Sequence, residues 1–131
     1  MTCLVDTHVW LWMNVSPEQL GDRSRAILRD RRNAVYLSVA SVWEMAVKSG
    51  LGKLDLPLDV QSFVRRFLPV SQSTLLEISL DHVFGLLALP DHHRDPFDRM
   101  LVAQARVEGM PLMTADPGLF DYPVATIDAR L

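Results

Sequence analysis

Five acidic side chains, each set in apolar surroundings, are the residues of this chain best placed to do chemistry. Asp6 directly follows the apolar run Cys3-Leu4-Val5, and Asp116 follows Leu112-Met113-Thr114-Ala115. Glu44 lies among Val42, Trp43, Met45, Ala46 and Val47. Asp95 and Asp98 open a segment dominated by Phe97, Met100, Leu101, Val102, Ala103, Ala105 and Val107. A carboxylate ringed by large apolar residues is costly unless it meets a cation. Several carboxylates gathered in one place repel one another, and a divalent cation is the natural remedy. Hard oxygen ligands suit Mg²⁺ or Mn²⁺. Such an ion lowers the pKa of a bound water and clamps the oxygens of an in-line displacement, so the chemistry implied is phosphodiester hydrolysis.

Each acid also has a plain structural reading. Asp6 suits the N-cap of the helix that follows it. Asp95 suits the cap before Pro96, a residue at home in the first helical position, and Asp98 one turn later makes a variant of the capping box. Glu44 and Lys48 stand four apart on the stripe that includes Ser41, where they can form an i,i+4 pair.

The elements that must position these acids alternate. Short apolar runs at Cys3–Val5, Val35–Leu37, Leu75–Ile78 and Leu112–Met113 read as strands, with a last edge strand at Val124–Ile127. Between them, helices are expected at Val9–Met13, Asp22–Arg31, Val39–Lys48 behind a Ser38 cap, Leu58–Leu68, from a Ser79 cap through Leu87, and from Pro96 to a stop at Gly109 and Pro111. Alternating strands and helices predict an α/β fold, a short and mostly parallel sheet of four or five strands with helices on both faces. In such a sheet, strand C-termini and helix N-termini share an edge, so Asp6, Asp98 and Asp116 can converge.

Composition bounds the rest. The 131 residues, 49% of them hydrophobic, predict a single domain over residues 1–131 with an adequate core. No run is long enough to span a bilayer and no secretory pattern opens the sequence. A lone cysteine, Cys3, reads as a buried core residue, and together these features point to a reducing cytoplasm. The net charge of −3 argues against tight, charge-driven nucleic-acid binding, although Arg23, Arg25, Arg29, Arg31 and Arg32 crowd one segment and Arg94, Arg99 and Arg106 flank the last long helix.

Four stretches together resemble the PIN-domain family, and more narrowly its VapC toxins. They are Leu4-Val5-Asp6-Thr7-His8-Val9-Trp10, the run from Ser38 to Lys48, the run from Arg94 to Ala105, and Leu112-Met113-Thr114-Ala115-Asp116. The resemblance covers nearly the whole chain, in the family's order and approximate spacing. It implies a PIN-like fold and a metal-dependent ribonuclease, the toxin of a toxin–antitoxin pair, with Asp6, Glu44, Asp98 and Asp116 as the acidic cluster. The family's third acid directly precedes the apolar helix motif, which matches Asp98 better than Asp95; Asp95 is the second choice. Thr7 and Thr114 stand beside cluster acids, where their hydroxyls could orient carboxylates or serve as caps. The resemblance also implies an RNA substrate, a homodimer and an inhibiting antitoxin, for which Trp10, Leu11, Trp12, Met13, Phe63 and Phe67 offer either apolar surface or core packing.

Other readings are weaker. A phosphatase of the haloacid-dehalogenase type wants a second aspartate two residues after Asp6, where this chain has His8. Zinc held by His8, His82, His92 and His93 lacks any established ligand spacing. A PIN-like scaffold that binds RNA or protein without cutting is the remaining alternative, and the four acids argue against it.

Overall fold

A computed structural model describes residues 1–92 and 95–131; His93 and Arg94, which fall within the stretches singled out above, lie outside the described residues. The strands are β1 (Thr2–Val5), β2 (Ala34–Ser38), β3 (Thr74–Leu76), β4 (Leu112–Thr114) and β5 (Thr126–Asp128). The helices are α1 (Thr7–Val15), α2 (Asp22–Arg29), α3 (Val39–Gly50), α4 (Val60–Val70), α5 (Leu80–Gly85) and α6 (Pro96–Glu108). All strand pairs are parallel, and the order across the sheet is β3-β2-β1-β4-β5. The expected α/β architecture is therefore present, with β1 at its centre.

Alternation along β1 divides the core into two layers. Cys3 and Val5 point to one face, where they meet Val35, Leu37, Trp10, Met45 and Phe63. Leu4 points to the other, against Leu101, Val102, Ala105 and Leu112. A strand covered on both faces is apolar throughout, which is why Cys3-Leu4-Val5 reads as a continuous run. Trp10, Leu11 and Phe63 belong to this interior, so the apolar surface considered for a partner is core at those positions. Cys3 is buried too, and burial pushes its thiol up to about 11, as befits an inert core cysteine.

Several boundaries differ from expectation for local reasons. Helix α1 begins at Thr7 rather than Val9, because the Asp6 carboxylate accepts the His8 N–H and starts the helix there. Helix α4 runs two residues later than Leu58–Leu68, since Asp59 caps it by accepting the Ser62 N–H. Strand β3 stops at Leu76 instead of reaching Ile78. Its partner Ser38, paired with Leu76, leaves the sheet there to cap α3. Strand β5 begins at Thr126, because Val124 is still engaged in a turn with Tyr122. Gly109 adopts φ 69°, the left-handed stop expected after α6.

The sheet positions a site through its topology. From β1 the chain builds outward through β2 and β3, then returns to place β4 and β5 on the other side. The order reverses between β1 and β4, and the crevice beyond the carboxyl ends of two such strands is where open α/β sheets bind ligands. Asp6 and Asp116 flank that crevice.

Candidate active site

Asp6 leaves β1 with its backbone N–H bonded to the Met113 carbonyl at 2.9 Å, so the ends of β1 and β4 are locked side by side. Its carboxylate accepts the Thr114 hydroxyl at 2.6 Å and the His8 N–H at 2.9 Å. It is 6% exposed, and burial raises its pKa above the ordinary carboxylate range, against the hydrogen bonds that stabilise the charge. Asp6 is thus both the cap of α1 and a member of the acidic group. The two readings describe one side chain.

Asp116 follows β4 in the same way. Its N–H is received by the Thr114 oxygen at 3.0 Å, and its carboxylate accepts the Gly118 N–H at 2.9 Å. Thr114 therefore joins two acids, donating to Asp6 while accepting from Asp116.

Glu44, in the second turn of α3, is 3% exposed. The Thr7 hydroxyl lies 2.6 Å from its Oε1 and 2.8 Å from the Ser41 hydroxyl. Thr7 is the donor toward both oxygens, and the shorter contact, to the carboxylate, is the stronger one. The other Glu44 oxygen pairs with the Lys48 ammonium. The i,i+4 pair is therefore formed, and Glu44 does have a protein cation as partner. Burial of its stem disfavours the Lys48 charge, but the hydrogen bond and charge of Glu44, with Asp95 and Asp98 behind it, raise its pKa.

Asp95 caps α6, accepting the N–H groups of Phe97 at 2.9 Å and Asp98 at 3.3 Å. Asp98, in the first turn of α6, lies close enough to feel the other acids. Burial, then Asp95, Asp6, Glu44 and Asp116 in that order, push its carboxyl up to about 8. Asp98 thus feels four other carboxyl groups, from its own helix and from three other parts of the chain. The Trp43 and Phe97 rings meet edge to face at 4.9 Å, tying α3 to α6 directly beside Glu44 and Asp98. Sequence reading missed this pair; the signal available was that each aromatic immediately precedes an acid.

The donor set suits a hard divalent cation: carboxylate oxygens, two of them on nearly inaccessible residues, in a place where negative charge is resisted. Among the described residues no three ligands close into a ready-made metal cage. The Thr7, Thr114 and Lys48 contacts already engage oxygens of Asp6 and Glu44, which a cation would have to share. Among the described residues the histidines form no alternative centre: His8 is on α1, His82 is buried beside Glu108 on α6, and His92 packs on Tyr122. Two hollows open on the surface. One of about 260 Å³ adjoins Glu44. A larger one of about 360 Å³ lies among Met13, Arg29, Asn33 and Phe67, at the opposite end of the strands from the acids.

Comparison with known proteins gives concordant results. A family model described as "PIN domain" matches residues 3–124. Ribonuclease VapC16 of Mycobacterium tuberculosis is 46% identical over 43 residues, a stretch covering 33% of this chain and 30% of that protein. The chain thus aligns with less than a third of that relative's length. Among solved structures, VapBC2 from Rickettsia felis bound to a promoter DNA fragment superposes with a TM-score of 0.71 at 17% identity, over 97% of this chain and 98% of that one. FitAcB from Neisseria gonorrhoeae gives 0.61 at 21% identity, over 95% and 96%. FitAB bound to the IR36 DNA fragment gives 0.64 at 23%, over 95% and 93%. At these identities the structural likenesses speak for the fold.

Proposed function

This chain belongs to the PIN-domain family, and we propose that it is a divalent-metal-dependent endoribonuclease, the VapC-type toxin of a toxin–antitoxin pair. The observation that carries this reading is the gathering of Asp6, Glu44 and Asp116 around Asp98 at the switch point of the sheet, where all three oppose the charge of Asp98. The relative named a ribonuclease supports the same reaction class.

Asp6, Asp98 and Asp116 would hold Mg²⁺ or Mn²⁺, with Asp95 as the second choice beside Asp98. When bound, such an ion polarises a water and the phosphoryl oxygens. The protein's own groups supply the orientation. Thr114 fixes the Asp6 carboxylate and the Asp116 backbone, so two ligands move as one unit with the ends of β1 and β4. Thr7 and Lys48 hold Glu44 at both oxygens, and from there it would either bind the ion or position the attacking water.

The same reading includes an antitoxin as partner, a homodimer and a place in the cytoplasm. No helix among the described residues is long and apolar enough to cross a membrane. A face for self-association is offered by α5, where Leu80, Val83 and Phe84 are exposed at helical spacing and the stripe continues onto Leu87.

The test is RNA cleavage by purified protein freed of antitoxin, with Mg²⁺, with Mn²⁺ and with EDTA. Asp98→Asn should lower cleavage by more than about a hundredfold, beyond the range for outer-shell partners. Asp95→Asn should retain activity, because asparagine still caps a helix. The reverse pattern would exchange the two aspartates. Failure to cut tRNA and ribosomal RNA, assayed separately with either metal, would favour a non-catalytic scaffold.

A further inference from the structure

The hollow of about 260 Å³ beside Glu44 differs in character from the acidic crevice it adjoins. Thr7, His8, Glu44, Lys48 and Lys53 line it above an apolar floor that includes Leu11. Against a chain of net charge −3, two ammonium groups and an imidazole here face one small space. The single carboxylate in its wall is already engaged, one oxygen by Thr7 and the other by Lys48. The sign of the mouth is therefore set by Lys53, with the His8 ring beside it, both on the exposed side.

Lys53 stands there because the backbone is built to bring it back. After α3 ends, the N–H groups of Leu51, Gly52 and Lys53 bond to the carbonyls of Val47, Ser49 and Lys48, the last at 2.8 Å. Gly52 takes φ 70° to make this reversal, a conformation that a side chain disfavours. The turn folds Lys53 over the last turn of its own helix, next to Lys48. Lys48 in turn feels Asp95 and Asp98 as well as Glu44, so the basic hollow and the acidic crevice meet at one residue pair.

We propose that this hollow is a phosphate subsite for single-stranded RNA, in which Lys53, with His8 and the outer side of Lys48, receives a backbone phosphate next to the one being cut. The inference rests on the nuclease reading and adds to it the place where the substrate strand is held. It also explains how a net acidic protein keeps a polyanion against a cluster of carboxylates: the attraction is local, beside the metal site rather than spread over the surface.

The experiment measures binding of a fluorescein-labelled short single-stranded RNA to the Asp98→Asn protein across a salt series, by fluorescence anisotropy. One lost phosphate contact on a single strand lowers the slope of log affinity against log salt by about 0.7, which amounts to about fivefold weaker binding at about 0.1 M salt. Lys53→Gln should show both changes, and Lys53→Arg should restore them. Arg65→Gln, on the exposed surface of α4, should show neither. With active protein, Lys53→Gln should raise KM and leave kcat nearly unchanged. An unaltered slope and affinity in Lys53→Gln would overturn the subsite, as would an equal loss in Arg65→Gln, which would mean a diffuse field. A Lys53 effect on binding in a protein that cuts no RNA with any metal would leave the subsite standing and remove the nuclease reading. Cleavage without a Lys53 effect would do the opposite.

Discussion

At Asp98 the fold opposes the charge that the proposed metal site needs. An aspartate ordinarily titrates near about 3.9, whereas burial and the neighbouring acids hold this one up to about 8. The folded state therefore keeps a proton that the unfolded chain releases. For an acid raised in this way, ionisation costs nothing extra below the unfolded pKa, and stability falls as pH rises from there toward the folded value. In EDTA, the melting temperature should thus drop between about pH 5 and about pH 8, and Asp98→Asn should flatten that slope. Added Mg²⁺ or Mn²⁺ should restore more stability at the upper pH than at the lower, since the ion replaces the proton. Thermal melts at the two pH values decide it; a wild-type curve no steeper than that of Asp98→Asn would dissociate the charge cluster from stability. The acids were legible in the sequence because a lone carboxylate in an apolar run is conspicuous. Lys48 was less so. It was visible as the i,i+4 neighbour of Glu44, but its place between two groups of acids depends on how α3 lies against α6, which no local pattern encodes.

Helix α3 is aligned on α6 by more than the Trp43–Phe97 contact. Gln104, fully buried on α6, accepts the Ser38 hydroxyl, donates toward the Glu77 carbonyl at 3.3 Å and touches His82. Ser38 is the residue that ends β2 and caps α3 by accepting the Ala40 N–H. One amide thus fixes the end of a strand, the start of one helix and the side of another. Replacing it with leucine would leave Ser38 and the Glu77 carbonyl without that partner, at a cost of about 2 kcal/mol. Urea unfolding of Gln104→Leu should show this loss, and its kcat should fall as Glu44 drifts from Asp98; unchanged stability would mean that packing alone sets the two helices. Strand and helix identities were readable from apolar runs and caps, as at Ser38, Ser79, Asp95 and Gly109. The ends were less so wherever a neighbouring element decided them. Strand β3 shows why: Ile78 is a good strand residue, yet the strand stops when Ser38 leaves the sheet.

Across the whole molecule, the exposed stripe on α5 and the order of the strands have separate consequences. If Leu80, Val83, Phe84 and Leu87 are covered by a second copy, Phe84→Glu should convert a dimer to monomers in sedimentation equilibrium, with the far-UV spectrum unchanged. A dimer that survives this substitution would place the contact elsewhere. The sheet order 3-2-1-4-5 was beyond sequence reading, because apolar runs announce strands without naming their neighbours. That order also dictates timing. Thr114 meets Asp6 across 108 positions of sequence, and β1 lacks its second neighbour until β4 arrives. A chain emerging from a ribosome therefore carries Asp6 and Glu44 in the open long before Asp98 and Asp116 exist to join them. On the nuclease reading, the protein is therefore inactive toward RNA while most of it is still being made, and its own message and ribosome are spared until β4 and Asp116 are in place.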